Sequence, residues 1–326
     1  MKVLVTGATG FLGSHLAELL HREGHAVRAL VRASSNTKHL ESLGAELALA
    51  SLETGEGLDR AVTGVDAVVH GAGIVKALAP EHFHDVNAGG TARLVDAVRV
   101  HNPGVKRFVY VSSLTAHGFS DDGNPRHPEA EARPVTHYGR SKLEGELATL
   151  AAMHDFPVTI VRPPAIYGPR DVEMYAFFQS VKRRMMRFMG KSSNILSIVD
   201  APDCAEAILR ALTVEHRSGR VYFVEDGRVY TQAELWQHIA DALGVRALKV
   251  PVPIAAVSAA AALSETYGRL RGTPVMLTRD KVNELRQPYL HCASDEIRKE
   301  LGWAPRVQFP EGARTTVEWY REHGWL

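Results

Sequence analysis

The sequence predicts an α/β fold in which a doubly wound parallel sheet is followed by a smaller C-terminal region, and three observations lead there. Through the first half, short β-branched runs alternate with longer stretches of helical periodicity, the pattern of βαβ units around a sheet buried on both faces. The opening run Val3 to Val5 leads directly into a glycine-rich turn and then an apolar helix. After Pro163 the alternation gives way to prolines, a helix rich in Met and Arg, and scattered short elements.

In chain order, strands are expected at Lys2 to Thr6, Ala26 to Val31, Ala45 to Ala48, Ala67 to His70, Arg107 to Ser112 and Val158 to Arg162. The strongest helical patterns run over Phe11 to Glu23, Gly90 to His101 and Tyr138 to Asp155. Asp121 to Pro134, polar and proline-rich, reads as a loop. Residues 1–168 are thus expected to form one domain and 169–326 mainly a second region, with the chain returning to the first near 198–212. Trp303, Trp319 and Trp325 are expected to pack rather than to bind a ligand.

Lys plus Arg number 38 and Asp plus Glu 37, so the overall charge supplies no field to gather nucleic acid or an anionic membrane. Two cysteines, Cys204 and Cys292, have neither a close partner nor metal-ligand spacing, which argues against a disulfide framework or a zinc site and for a reducing cytoplasm. Met1-Lys2 runs straight into the first strand, so no signal sequence is expected. Ile254 to Leu263 is too short to span a bilayer and is expected to be a buried helix rather than a lipid-docking surface. Lys182 to Arg187 reads as a solvated helix face rather than a contact for a substrate phosphate or carboxylate; Met174, Met185, Met186, Met189, Phe177 and Phe178 fit a core or an adaptable apolar pocket equally well.

Thr6-Gly7-Ala8-Thr9-Gly10-Phe11-Leu12-Gly13 sits between strand and helix, the setting that distinguishes a dinucleotide loop from a chance glycine cluster. Gly7 allows the tight turn, Gly10 lets backbone N–H groups approach a pyrophosphate, and Gly13 lets helix and strand pack closely, with the N-terminus of the helix at Thr9 to Leu12 facing the anion. At the end of the second strand no carboxylate is available for an adenosine ribose 2′-hydroxyl; Val31 stands in its place, with Arg32 beside it. An arginine there suits a 2′-phosphate, so NADP(H) is expected in preference to NAD(H).

Tyr138 and Lys142, at i and i+4, share one helix face. A neighbouring ammonium is expected to stabilise the phenolate and bring the phenol into the working range of a proton donor or acceptor. Ser112 and Ser113 end the fifth strand, at the sheet edge where α/β folds keep their ligands, and one of them is expected to orient a substrate oxygen.

With these motifs in this order the chain resembles the extended short-chain dehydrogenase/reductase family, also called the NAD-dependent epimerase/dehydratase family. The resemblance covers most of the first 210 residues and adds His70-Gly71-Ala72-Gly73, Val86-Asn87-Ala88-Gly89-Gly90-Thr91, Gly118 and Arg162-Pro163-Pro164-Ala165-Ile166-Tyr167-Gly168-Pro169-Arg170. It implies a Rossmann-type sheet with a substrate-binding C-terminal region, and selects Ser113 over Ser112 by its distance from Gly118. It further implies that Ala72 and Gly73 line the adenosine and pyrophosphate path, that Pro163 and Ala165 flank the nicotinamide, that Lys142 reaches the nicotinamide ribose, and that the chain forms a homodimer through helices beginning near Gly90 and Tyr138. Ser51-Leu52 stands where the family often has Asp-Leu, which weakens or alters an adenine contact.

Family dehydratases carry an acidic pair just after the active-site Ser or Thr; Leu114 and Thr115 replace it here, arguing against dehydration. Sugar-nucleotide epimerases place an arginine near where this chain has Leu196. The C-terminal region is similar to dihydroflavonol reductases, hydroxysteroid dehydrogenases and epimerase-like enzymes encoded with hopanoid synthesis, especially over Pro251 to Leu263 and Cys292 to Pro305. The resemblance therefore implies an NADP(H)-dependent oxidoreductase acting on a hydrophobic small-molecule ketone or secondary alcohol. A nucleotide-sugar epimerase using NAD, and a non-catalytic dinucleotide sensor on the same fold, are the alternatives.

Overall fold

The computed structural model describes residues 1–326. Seven strands form one parallel sheet: β1 (Lys2–Thr6), β2 (Ala26–Val31), β3 (Glu46–Leu49), β4 (Ala67–His70), β5 (Arg107–Val111), β6 (Val158–Arg162) and β7 (Arg220–Phe223). Their spatial order is β7-β6-β5-β4-β1-β2-β3, so the order reverses beside β1, where an open α/β sheet presents its ligand crevice. The sheet is flanked by α1 (Phe11–Arg22), α2 (Gly90–His101), α3 (His137–Leu150) and α4 (Ala201–Thr213).

The period-two alternation of β1 sends Val3 and Val5 to one face and Leu4 to the other, and two separate cores result. Val3 and Val5 pack with Leu16 and Leu20 of α1, Ile208 and Leu212 of α4, and Trp303. Leu4 packs with Phe108, Ile160, Leu94 and Val98 of α2, and Phe156. A third core joins Phe178, Met186 and Phe188 to Trp236, Phe309 and Tyr320, with Trp319 and Trp325 packed against it. Cys204 and Cys292 are both buried free thiols.

Several details differ from the sequence expectation. β7 was not anticipated; its Arg-Val-Tyr-Phe is a short run whose only warrant is pairing with β6. α3 ends at Leu150 and β5 at Val111, while β3 lies one residue later than expected. The basic cluster is not a helix face: the helix ends at Lys182, Arg184 adopts φ +61°, and Met185–Met189 is a strand. That strand runs parallel to Leu248–Val252, and its alternation buries Met186 and Phe188 while leaving Arg187 exposed.

The largest correction concerns α5 (Ile254–Arg271), whose first part, Ile254 to Leu263, was expected to be buried. Val257, Ala261 and Gly268 are its only buried residues, because one narrow face packs on Val252, Val282 and Met189 while the rest faces outward. No helix is long and apolar enough to cross a membrane.

Candidate active site and cofactor cradle

The glycine loop is a cradle from which side chains are sterically barred. Gly7 has φ +74°, and a Cβ there would lie 2.8 Å from the Ala72 nitrogen. At Gly13 a Cβ would fall 2.0 Å from the Gly7 carbonyl oxygen, so only glycine lets α1 approach β1 this closely. Gly10 caps α1 without a side-chain hydrogen bond, and Thr9 and Gly10 are exposed, with Phe11, Leu12 and Gly13 half-buried behind them. The first-turn N–H groups and the positive end of α1 therefore face outward unobstructed by side chains, the donor set that suits a pyrophosphate.

The neighbouring loop is held by a directional chain of hydrogen bonds. Ala72 N–H donates to Thr6 Oγ1 at 3.1 Å, leaving the Thr6 hydroxyl to donate to His70 Nδ1 at 2.6 Å. Thr91 Oγ1 donates to the Asn87 carbonyl at 2.5 Å, so at 2.9 Å it accepts from His70 Nε2–H. Each hydrogen is used once only if His70 is the neutral Nε2–H tautomer. Consistently, burial and then the Lys142 charge push its pKa down to about 3. Asn87 lies in a π-helical turn, His84–Gly89, that runs into α2. Its Oδ1 accepts from Ile74 N–H at 2.8 Å, and its Nδ2 donates to Ile74 O and to Ser141 Oγ, both at 3.0 Å. Asn87 thus ties the Gly71 to Ile74 loop to α3, one residue from Lys142. Sequence reasoning assigned His70, Asn87 and Thr91 no role, although all three lie inside motifs that carried the family resemblance.

Thr136 caps α3 by accepting from Gly139 N–H at 3.1 Å, which fixes Tyr138 in the first turn and Lys142 one turn on. Ser113 caps the short helix Leu114–His117, accepting from Thr115 N–H at 3.2 Å. Burial raises the Tyr138 phenol to about 12, and the nearby Ser113 hydroxyl works in the opposite direction, while Ser113 Oγ itself meets Thr115 Oγ1 at 2.8 Å. Ser112, by contrast, is buried, with its hydroxyl unpartnered.

Lys142 Nζ donates to the Val111 carbonyl at 2.8 Å and lies 4.3 Å from the centroid of the Tyr110 ring. Burial lowers its pKa to about 7, opposed by the charge of Glu146. Desolvation dominates at both groups, and the ammonium is turned toward the end of β5.

Below these groups Arg162 and Glu146 form a buried two-point ion pair, 2.8 Å and 2.6 Å, and Arg162 also meets His117 Nδ1 at 2.9 Å. Burial, then the Arg162 charge, lowers His117 to about 3, so it stays neutral and accepts from the guanidinium. Pro163 follows, buried, its carbonyl accepting from Leu114 N–H at 2.8 Å; Ala165 is exposed at the start of the strand Ala165–Tyr167.

Arg32 lies exposed just beyond β2, its backbone N–H held by Ser35 Oγ at 3.0 Å. Ser51 and Leu52 are half-buried after β3, the Leu52 carbonyl accepting from Arg93 at 3.0 Å. Beside the start of α3, Ala77, Leu78, Pro80 and Phe83 line a cavity of about 90 Å³ together with His137, Glu265, Arg269 and Asp280. The Phe83 ring lies 6.3 Å from that of Tyr138, edge to face, and Asp280 accepts from His137 N–H at 2.8 Å, pinning the C-terminal region against α3.

The model of the NAD-dependent epimerase/dehydratase family matches residues 3–224. The chain belongs to that family. It is an enzyme of the extended short-chain dehydrogenase/reductase class, and its cofactor is an NAD(P) dinucleotide. The chain is similar to a ceramide reductase of Caulobacter vibrioides, 32% identical over 99% of this chain and 96% of that protein. It is also similar to a 4-hydroxy-2-methyl-3-oxo-4-farnesyl-3,4-dihydroquinoline-1-oxide ketoreductase of Stigmatella aurantiaca, 29% identical over 96% of this chain and 94% of that one. Among solved structures, the UDP-glucose 4-epimerase of Thermus thermophilus in complex with NAD superposes with a TM-score of 0.78 at 24% identity, covering 98% of this chain and 99% of that one. The last likeness speaks to the fold alone.

Proposed function

We propose that the chain is an NADP(H)-dependent carbonyl reductase or secondary-alcohol dehydrogenase acting on a hydrophobic small molecule. The observation that supports this reading is Tyr138 in the first turn of α3 with Lys142 buried one turn on, its Nζ bonded to the Val111 carbonyl two residues before Ser113, in the same domain as the glycine cradle. Bound there, the dinucleotide supplies the hydride to a carbonyl carbon, or takes it from an alcohol.

Tyr138 is the proton donor in reduction. Raised to about 12 by burial, it stays protonated at neutral pH until a developing oxyanion takes its hydrogen. Ser113 holds that oxygen in hydrogen-bonding position. Lys142, near 7, responds to its surroundings: a new acceptor such as a ribose hydroxyl or a developing phenolate favours its ammonium form. Gly7, Thr9, Gly10, Phe11, Leu12 and Gly13 hold the pyrophosphate, Ser51, Leu52, Ala72 and Gly73 the adenosine side, and Pro163 and Ala165 the nicotinamide side. Arg32, exposed and free of any carboxylate partner, pairs with a 2′-phosphate.

Relatives named for a ceramide and a farnesyl-bearing ketone support an apolar substrate, and Phe83, edge to face with Tyr138, offers it one apolar contact. Exposed Val100 on α2 and Leu147 on α3 support a homodimer through those helices, which light scattering on the parent and a Leu147→Glu variant would test.

Titration of purified protein with NADPH and NADH by fluorescence, followed by turnover of long-chain ketones, tests the reading. Tighter, freely exchanging NADPH and consumption of a long-chain ketone are expected. Retained, non-exchanging NAD with epimerisation of a nucleotide sugar would replace it with the epimerase reading, and tight binding without turnover of any carbonyl with the sensor.

A further inference from the structure

The outward face of α5 repeats apolar residues at helical spacing: Ala256, Ala259 and Ala260, then Leu263, Tyr267 and Leu270. Leu263 is 73% exposed, Tyr267 59% and Leu270 82%, far beyond the scattered single apolar residues of an ordinary surface. Leu248, 74% exposed, extends the face into the two-stranded sheet that feeds α5 through Pro253.

That same sheet and its flanks are cationic. Lys182, Arg183, Arg184, Arg187, Arg246 and Lys249 are all exposed, and none is ion-paired. No Asp or Glu occurs from residue 174 to 193 or from 242 to 264, although acids and bases balance over the whole chain. Strand pairing puts Arg187 and Leu248 on the same face of the two-stranded sheet as Met189 and Val252, which pack with α5, and Lys249, opposite Met186, on the other. Arg269 and Arg271 are exposed at the far end of the helix, so cations bracket the apolar stripe at both ends.

An apolar helix face flanked by unpaired cations matches the interface of an anionic bilayer, where apolar side chains enter the headgroup boundary and Lys and Arg meet lipid phosphates. We propose that α5, with the cationic strands Met185–Met189 and Leu248–Val252, docks the protein on the surface of an anionic lipid membrane. The inward side of the same helix contributes Glu265 and Gly268 to the cavity near Phe83, so docking would set that cavity against the lipid phase. Duplex nucleic acid fits less well, because a polyanion has no use for Leu263, Tyr267 and Leu270. A second copy fits less well too, because two such cationic faces repel.

Co-sedimentation with phosphatidylcholine vesicles, with and without phosphatidylglycerol, tests the docking independently of any turnover. The intact chain is expected to partition onto phosphatidylglycerol vesicles and to leave them at high salt. Leu263→Glu with Leu270→Glu, and separately Arg183→Glu with Arg187→Glu, should each weaken partition roughly tenfold or more while the melting temperature holds. The proposal is overturned if the parent ignores both vesicle types or if the double Leu variant partitions like the parent. It is equally overturned if duplex DNA competes with the vesicles for the double Leu variant and the parent alike, or if the parent is a dimer that the double Leu variant dissociates.

Discussion

Replacing Gly13 by Ala tests whether the glycine loop is a cradle fixed by backbone contact. The added Cβ would lie 2.0 Å from the Gly7 carbonyl oxygen and 2.8 Å from the Ala8 Cα. A carbon-to-oxygen contact needs about 3.3 Å, so α1 and the loop must part by about 1.3 Å. Backbone stands on both sides of the clash, and no side chain can swing away. The cost therefore sits at the upper end of the overpacking range, about 3 kcal/mol. With an unfolding entropy of ~2.1 cal/mol/K per residue over 326 residues, the melting temperature should fall by about 4 °C. Parting also moves the α1 N–H groups away from the anion, and losing ~1.5–3 kcal/mol of charge-assisted hydrogen bonding should weaken NADPH binding roughly 10- to 100-fold. Gly104→Ala is the control, since a Cβ there meets nothing within 4 Å. Calorimetry and fluorescence titration read both quantities. A Gly13→Ala protein that melts with the parent and binds NADPH equally well would refute the reasoning.

Three further outcomes follow from the site. Arg32→Asp should lower the NADPH-to-NADH affinity ratio roughly 10- to 100-fold, the loss of one charge-assisted pair, and an unchanged ratio would make Arg32 a surface charge. Glu146→Ala leaves the Arg162 guanidinium buried without its partner and should cost about 3–5 kcal/mol in urea denaturation, whereas Glu146→Leu with Arg162→Met should cost less. Because the folded chain releases the Lys142 proton near 7 and the unfolded chain holds it to 10.5, stability should rise with pH between those values. From pH 7 to 9 this contributes at most about 2–3 kcal/mol, and Lys142→Met should flatten the rise in melting temperature over that interval.

What the sequence made legible was local. The glycine loop and the Tyr138 to Lys142 spacing each lie within one turn or one helix, so residue spacing alone implies the geometry. Long-range pairing was not legible: β7 becomes a strand only by pairing with β6, and Arg162 meets Glu146 and His117 across 16 and 45 residues of chain. Burial of α5 was misread because an alanine-rich stretch has the composition of a core helix whichever way it faces. Hydropathy cannot show that its neighbours cover only Val257, Ala261 and Gly268. The basic cluster turned from helix to strand at Arg184, where a left-handed arginine is a conformation that residue type does not announce. The spacing of Tyr138 and Lys142 put both on one helix, but it carried no information on their surroundings. Burial, invisible in the spacing, is the largest influence on each group, raising the phenol and lowering the ammonium.

The most direct test of the account is Tyr138→Phe, which removes one hydroxyl from the α3 face and leaves the cradle untouched. Carbonyl-dependent NADPH oxidation should fall by roughly 10²–10⁴-fold, the range for a lost general acid, while NADPH affinity stays near that of the parent. Turnover retained at the parent level, with cofactor bound as before, would contradict the assignment of Tyr138 as the proton donor.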